Sequence, residues 1–257
     1  MIILFILIAL FAPRLAPYTP TEMTYTAIQQ PPSPEHWLGT DELGRDILSR
    51  VIYGARISLQ VGVIAVGIGM TVGTLLGLFA GFLGGWADTV IMRTMDVMLA
   101  FPGILLAIAI VAVLGPGLYN TMVAVGIAAV PVYARTARGS TLTVLENDYI
   151  SAAVALGASR TRIALRYVLP NILAPITVLA TIGVATAILS AAGLSYLGLG
   201  AQPPTPEWGA MLSGARAYLR SAWWMATFPG LAIMLVVMAF NLLGDGLRDL
   251  WDPRVGK

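Results

Sequence analysis

The chain has 257 residues, of which 58% are hydrophobic and only 11% charged, with no cysteine and a formal net charge of +2. An ordinary soluble domain carries about 25% charged residues, so this composition leaves too little charge to cover a water-facing surface. It excludes a soluble enzyme, a nucleic-acid binder and a disulfide-stapled secreted domain, and it points to an integral membrane protein.

Met1–Ala12 is apolar throughout but rises only ~18 Å as a helix. That is too short to cross a bilayer, and a signal peptide is disfavoured because a basic leader and a small-residue cleavage site are both missing. Residues 1–12 are expected to be the outer end of a first span that begins upstream. Residues 13–55 read as an external loop. Within it Thr40-Asp41-Glu42 opens a short helix with acidic residues in its first turn. Ile47, Leu48, Val51 and Ile52 fall on one side, opposite Arg45, Asp46, Ser49 and Arg50. That pattern suits a helix lying in the headgroup plane, or equally a lid on the outer ends of the spans. His36, the single histidine, reads as an ordinary loop residue, since a zinc or haem site needs more nitrogen or sulfur ligands than the chain provides.

From residue 56 to 254 the charges mark out the membrane domain. Uncharged runs of 31, 38, 40 and 24 residues separate Arg56 from Asp88, Asp96 from Arg135, Arg166 from Glu207 and Arg220 from Asp245. Crossing ~30 Å of hydrocarbon takes roughly 20 apolar residues. One span fits in each run except the second, which holds two because Gly115-Pro116-Gly117 breaks it. The third run exceeds its span by a loop from about Ser195 through Pro206. With the partial first helix, six spans are expected.

Gly69, Gly73, Gly77, Gly81 and Gly85 recur every four residues. They form a stripe where another helix approaches closely, within this chain or in a second subunit. Placing the short-loop arginines by the positive-inside bias puts 135–170 and the C-terminus, with Arg254 and Lys257, in the cytoplasm. Residues 13–55 and 195–222 then lie outside.

The loop at 147–169 carries the most functional information. Asn147 or Asp148 can cap an alanine-rich helix that ends at Gly157, a residue suited to the left-handed position. Ser159 can cap a second helix, and Pro170 is placed to start the fifth span. Two short helices hinged at Gly157 would therefore project from the membrane with an arginine-studded flank. The small side chains of Ala152, Ala153 and Ala155 would let the first sit deep in a partner's groove.

Ala152-Ala153-x3-Gly157, closing on Leu169-Pro170, resembles the EAA loop of ABC importer permeases. The family's leading glutamate is replaced by Ser151, and its frequent histidine before Leu-Pro by Tyr167. Three further segments are similar to the dipeptide/oligopeptide/nickel permease subfamily, second-permease type. They are Trp37-Leu38-Gly39-Thr40-Asp41-Glu42-Leu43-Gly44-Arg45-Asp46, the stretch 194–209 ending Pro206-Glu207-Trp208-Gly209, and Phe240-Asn241-Leu242-Leu243-Gly244-Asp245 followed by Asp252-Pro253-Arg254. The resemblance implies an all-α helix bundle of the type I ABC importer permease fold in a bacterial inner membrane. Such a subunit forms half of a pathway for peptides or related small solutes. Its partners would be a homologous second permease, two ATPase subunits holding ATP and magnesium, and an external solute-binding protein, with no cofactor in this chain. The coupling residues it implies are Ser151, Ala152, Ala153, Gly157, Ala158, Ser159, Arg160, Arg162, Leu169 and Pro170.

The residues themselves are compatible with that assignment. The chain contains no Gly-x4-Gly-Lys-Ser/Thr phosphate loop, so an ATPase would be a separate polypeptide. A proton-coupled carrier commonly places acids or histidine within its spans, and here the spans have none. Sodium coupling and a passive channel stay open on composition alone. An intramembrane serine protease would need a base near Ser190 or Ser195, and His36 lies far from both in sequence. Some of Thr177, Thr181, Thr186 and Ser190 are candidate pore-facing hydroxyls, although helix packing is the favoured reading of these residues.

Overall fold

A computed structural model describes residues 1–251, so expectations placed on Asp252-Pro253-Arg254 and Lys257 lie outside the described part. The chain is helical at each of the six expected positions. The helices in chain order are α1 (Ile2–Leu10), α2 (Ala12–Leu15), α3 (Ile47–Leu83), α4 (Gly85–Leu99), α5 (Gly103–Leu114), α6 (Leu118–Leu145), α7 (Asp148–Ala155), α8 (Arg160–Tyr196), α9 (Trp208–Ala215) and α10 (Trp224–Trp251), and the six expected spans fall on α1, α3, α5, α6, α8 and α10. Among the described residues α3, α8 and α10 are long and apolar enough to cross a membrane unaided. The pair α4 and α5, apolar enough only when taken together, is bent by 94° at its break, as a broken span or a re-entrant loop would be. Helix α6 fails that test because Arg135, Arg138 and a run of hydroxyls occupy its second half, although it lies against α3 along its length.

The α3–α6 pair is the spine of the bundle, and the glycine stripe is the reason. A methyl added at Gly69 would sit 3.0 Å from the Ala129 methyl. At Gly73 it would sit 2.6 Å from both the Tyr133 Cβ and the Val130 carbonyl, and at Gly81 2.9 Å from the Thr141 Cβ. At Gly77 it would fall on the Ala134 carbonyl. The four glycines therefore bring two backbones of one chain together, which is how helices associate where water provides no driving force. Gly85 is not part of this face. With Gly84 it takes positive φ (65° and 55°) at the α3–α4 reversal, and nothing lies within 4 Å of an added methyl.

Helix α4 is tied back to α6 by charge. Arg138 donates to both Asp88 carboxylate oxygens at 2.5 and 2.6 Å, and Arg135 to Asp96 at 2.5 Å. The chain then breaks at Ala100–Pro102. Proline has no N–H and disfavours a helical residue before it, so α5 leaves in a new direction.

The expected headgroup-plane helix is absent. Asp46 is the N-cap of α3, accepting from the Ser49 N–H at 2.7 Å, and Ile47–Ile52 are simply the first turns of that long helix. Arg45, Asp46, Ser49 and Arg50, expected on a water-facing side, are buried. Arg45 Nε donates to Asp41 at 2.6 Å, while Arg50 donates to the carbonyls of Pro20 at 2.8 Å and Pro204 at 3.3 Å. Local periodicity suggested an interface with water, but distant loops close over the polar side instead. Of the two readings, this matches the lid. His36 is likewise buried, with Nδ1 3.0 Å from Asp46 and its ring 4.9 Å from that of Tyr18.

Candidate functional site: a knob, a cap and a membrane-buried cavity

Three features occupy different levels of the bundle. At one end, α6 runs into the 147–169 knob. Asn147 stands at the N-cap of α7, yet its amide donates backwards to the carbonyls of Thr143 and Val144 at 3.1 and 3.0 Å, closing α6 rather than opening α7. Helix α7 ends as anticipated. Gly157 has φ +79°, its N–H reaches the Val154 carbonyl at 2.9 Å, and the Ala158 N–H reaches back to Ala153 at 3.0 Å. This pair of bonds is the Schellman arrangement. The Ser159 hydroxyl accepts from the Arg162 N–H at 3.3 Å, as a cap should.

The knob's second helix is not separate from the fifth span. Helix α8 is continuous from Arg160 to Tyr196. Pro170 lies inside it, because residues 163–168 widen into a π turn in which the Leu169 N–H bonds the Ala164 carbonyl. That widening accommodates the ring and the missing donor of Pro170. Ala153, with Ile150 and Ile163, packs inward. Ser151, Ala152, Gly157, Ser159, Arg160 and Arg162 are exposed, Ala158 and Leu169 half-buried. Leu156 is 89% exposed and Val154 57%. The knob thus presents an uncovered apolar tip edged by Arg160, Arg162 and Arg166.

At the opposite end, residues 16–46 and 197–222 form a cap. The Trp208 indole N–H donates to the Val51 carbonyl at 3.0 Å and the Trp224 indole to Thr40 at 3.1 Å. Glu207 accepts from the N–H groups of Gly209 and Ala210 at 3.0 and 2.8 Å and so caps α9. Burial pushes its carboxyl above the usual carboxylate range, partly offset by those bonds. A folded-state pKa raised above the unfolded one means stability is greatest at low pH and falls as pH rises through the folded value. Wild-type protein in detergent should therefore lose melting temperature relative to Glu207→Gln, which cannot ionise, as pH is raised above the ordinary carboxylate range. Parallel curves for the two proteins would contradict this.

Between the two ends, α3, α5, α6 and α8 surround a cavity of about 420 Å³ with a mainly apolar wall. Thr186 and Ser190 line it, together with Tyr133 and Gly183, whereas Thr177 and Thr181 do not. Those two hydroxyls bond the carbonyls of Leu173 and Val178 on their own helix, as Thr186 does that of Ile182. Gly103 and Ile104, the first residues of α5, also line the cavity, which the sequence reading did not foresee. The Phe101-Pro102-Gly103 triplet was the available signal.

A bundle of this kind, with a cavity in its membrane-buried level and an exposed knob at one end, defines the class: a membrane-transport permease. Residues 73–257 match the model of the binding-protein-dependent transport system inner membrane component family, and residues 1–32 match the N-terminal transmembrane domain of oligopeptide transport permease C. The chain belongs to that binding-protein-dependent permease family. It is 54% identical over 251 residues to the dipeptide transport system permease protein DppC of Alkalihalophilus pseudofirmus, covering 98% of this chain and 83% of the relative. It is 51% identical over 259 residues to the di/tripeptide permease DppC of Pseudomonas aeruginosa, covering 98% and 86%. With the glutathione permease GsiD of Escherichia coli O157:H7 it shares 54% identity over 255 residues, covering 99% and 84%. The fold is that of the type I importer permease in an inward-facing structure of the MetNI methionine ABC transporter, with TM-score 0.64 at 20% identity over 79% of this chain and 96% of that one.

Proposed function

We propose that this chain is one of two permease subunits of a bacterial inner-membrane importer for short peptides, driven by ATP hydrolysed on separate subunits. The substrate class follows the dipeptide, di/tripeptide and glutathione permeases that the chain resembles along almost all of its length. The observation that carries the mechanism is the knob. A helix of eight residues, Asp148–Ala155, stopped by a left-handed glycine, carries an exposed Leu156 and Val154 edged by arginines. An apolar tip of that kind is stabilised by insertion into a partner's groove.

In this reading ATPase subunits grip Ser151, Ala152 and Gly157–Arg162 from the cytoplasm. Their closure moves α6 and α8, which flank the knob in the chain. A binding protein delivers peptide to the cap formed by 16–46 and 197–222, and a homologous permease completes the pathway. ATP and magnesium reside on the partners, and this chain positions and moves without catalysing. No carboxylate or histidine lines the cavity, which argues against the proton-coupled alternative.

Reconstituted with its partner permease, ATPases and binding protein, the chain should support ATP-dependent uptake of a labelled dipeptide into vesicles. The same chain alone, under proton or sodium gradients, should transport nothing. Gradient-driven uptake by the purified chain would overturn the proposal.

A further inference from the structure

We propose that the recess in the cap between residues 41–50 and 195–214 is a reception site for a short peptide in its free, zwitterionic form, with the peptide carboxylate on Arg50 and its ammonium on Glu42. This rests on the peptide-importer reading above and deepens it by naming what the cap recognises.

The recess measures about 240 Å³, below the ~300–1,000 Å³ of sites that hold drug-sized ligands, so its occupant is small. Asp41, Arg45, Ile47, Arg50, Met211 and Met225 line it and are all buried, while Gln202, Pro203 and Gly214 are exposed at its rim. The charged floor is therefore built into the protein and is not a patch of its surface.

That floor carries one uncommitted cation. Asp41 belongs to Arg45: its Oδ1 accepts from the N–H groups of Leu43 and Arg45 at 2.9 Å each, and its Oδ2 from Arg45 Nε at 2.6 Å. The Arg50 side chain is 5% exposed and its Nε stands 3.5 Å from the same Oδ2 without a hydrogen bond to it. Its Nη1 serves the carbonyls of Pro20 and Pro204. Nη2 makes no hydrogen bond among the described residues and, unlike Nε, is not sealed from solvent. A guanidinium has five donors in one plane, so a carboxylate in the recess can take the ones left over. A buried cation with unmade bonds is costly, and such a guest removes that cost.

A simple anion would suit only half of the wall. Asp41 and Glu42 balance Arg45 and Arg50 there, so the recess separates charge without carrying a net one. Glu42 gives Oε1 to Arg45 Nη2 at 3.0 Å, and its side chain is 26% exposed, leaving Oε2 for an incoming donor. Only Asp41 and Arg45 stand between Arg50 and Glu42, in contact along the series. The termini of an extended dipeptide lie at most ~7 Å apart. A lone anion meets Glu42 as a like charge and a lone amine meets Arg50 so, whereas a zwitterion is complementary to both. Ile47, Met211 and Met225 supply apolar surface for the carbon atoms between its charges.

The chain contains no cysteine, which opens a direct test. Gly214→Cys sets a single thiol at the rim, where an added Cβ meets only Glu42, at an ordinary 3.4 Å. The complex of this chain with its partner permease and ATPases is assembled in nanodiscs without binding protein, and methanethiosulfonate labelling of this chain is timed. Ala-Ala should slow labelling several-fold and saturably. N-acetyl-Ala-Ala amide, which has neither charge, should leave the rate unchanged. Each singly blocked peptide should need about tenfold more for half-protection, the loss of one charge-assisted bond. Adding Glu42→Gln should raise the Ala-Ala midpoint about tenfold and leave that of N-acetyl-Ala-Ala in place. Arg50→Lys, which keeps the charge and loses the planar fork, should raise the midpoint for Ala-Ala and leave that of Ala-Ala amide in place. Glu42 is partly exposed, so Glu42→Gln decides the matter if Arg50→Lys does not assemble. No protection by Ala-Ala, or equal protection by free and blocked peptides, would overturn the proposal. So would equal protection by acetate, the mark of a plain anion site. Weakened binding of the empty binding protein in both variants, with protection by Ala-Ala unaltered, would make the recess a socket for that protein and would equally overturn it. Dipeptide uptake by the complete parent transporter is measured alongside. Uptake with an unprotected thiol sinks this inference alone, whereas no uptake of any peptide sinks the importer reading with it.

Discussion

Gly77→Val is expected to destabilise the folded subunit by about 3 kcal/mol or more and to lower its yield as a monodisperse species in detergent. Even a single methyl there coincides with the Ala134 carbonyl and stands 2.7 Å from the Ala137 methyl and 2.8 Å from the Arg138 nitrogen. Two of those three are backbone atoms that no rotamer change can move aside, so the helix axes must separate and forfeit packing on both sides of the contact. Gly67 provides the control, because it is on the same helix with nothing within 4 Å of an added methyl. Gly67→Ala should be neutral or stabilising by up to about 1 kcal/mol, since alanine restricts the unfolded chain more than glycine. Thermal melting of the two variants in one detergent checks both signs. Equal effects would mean that α3 and α6 are not held by backbone proximity.

The second large effect is on transport rather than stability. Gly157→Val is expected to reduce ATP-driven uptake at least about tenfold while leaving the melting of the subunit within ~1 kcal/mol. At φ +79° a β-branched residue is strained by about 1–3 kcal/mol. Nothing lies within 4 Å of an added methyl, so the penalty is conformational and confined to the knob. The turn relieves it by abandoning the left-handed geometry, which releases the two bonds to Val154 and Ala153 and redirects α7 relative to α8. Gly157→Asn, which tolerates that backbone region better, should retain more uptake than the valine variant. The readouts are peptide accumulation in vesicles and stimulation of the partner ATPase. Wild-type uptake in Gly157→Val would remove the basis for assigning coupling to residues 147–169.

What was readable from the amino acids depended on how local the cause is. The helix positions follow from runs without charge, because the cost of placing an ion in hydrocarbon acts residue by residue. The turn at Gly157 and the cap at Ser159 were legible since each is decided within four residues. The stripe from Gly69 to Gly81 was legible as a contact face, and its partner within the same chain was one of the two readings held open. Other features depend on partners far along the chain. Arg50 looks like a water-facing cation until the Pro204 carbonyl, 154 residues away, accepts from it, and that is why a helix that reads as interfacial is instead the buried start of α3. Asn147 had equally good geometry in either direction, and the carbonyls at the end of α6 won. Pro170 looked like a start signal because a π turn, which depends on the backbone on both sides, has no simple residue code. The bend before Gly103 could have been suspected from Phe101-Pro102-Gly103, but neither its angle nor the space it opens is written in spacing.

The length of α6 has a mechanical corollary. Its 28 residues make a strut of ~42 Å, zipped to α3 by four glycines over ~18 Å of it. In the proposed importer the two would swing as a single paddle, with the 147–169 knob at one tip and the tryptophan-latched lid over α3 at the other. A small displacement applied at the knob would then be delivered across the whole bilayer as tilt, and slack in the zipper would dissipate the stroke before it arrived.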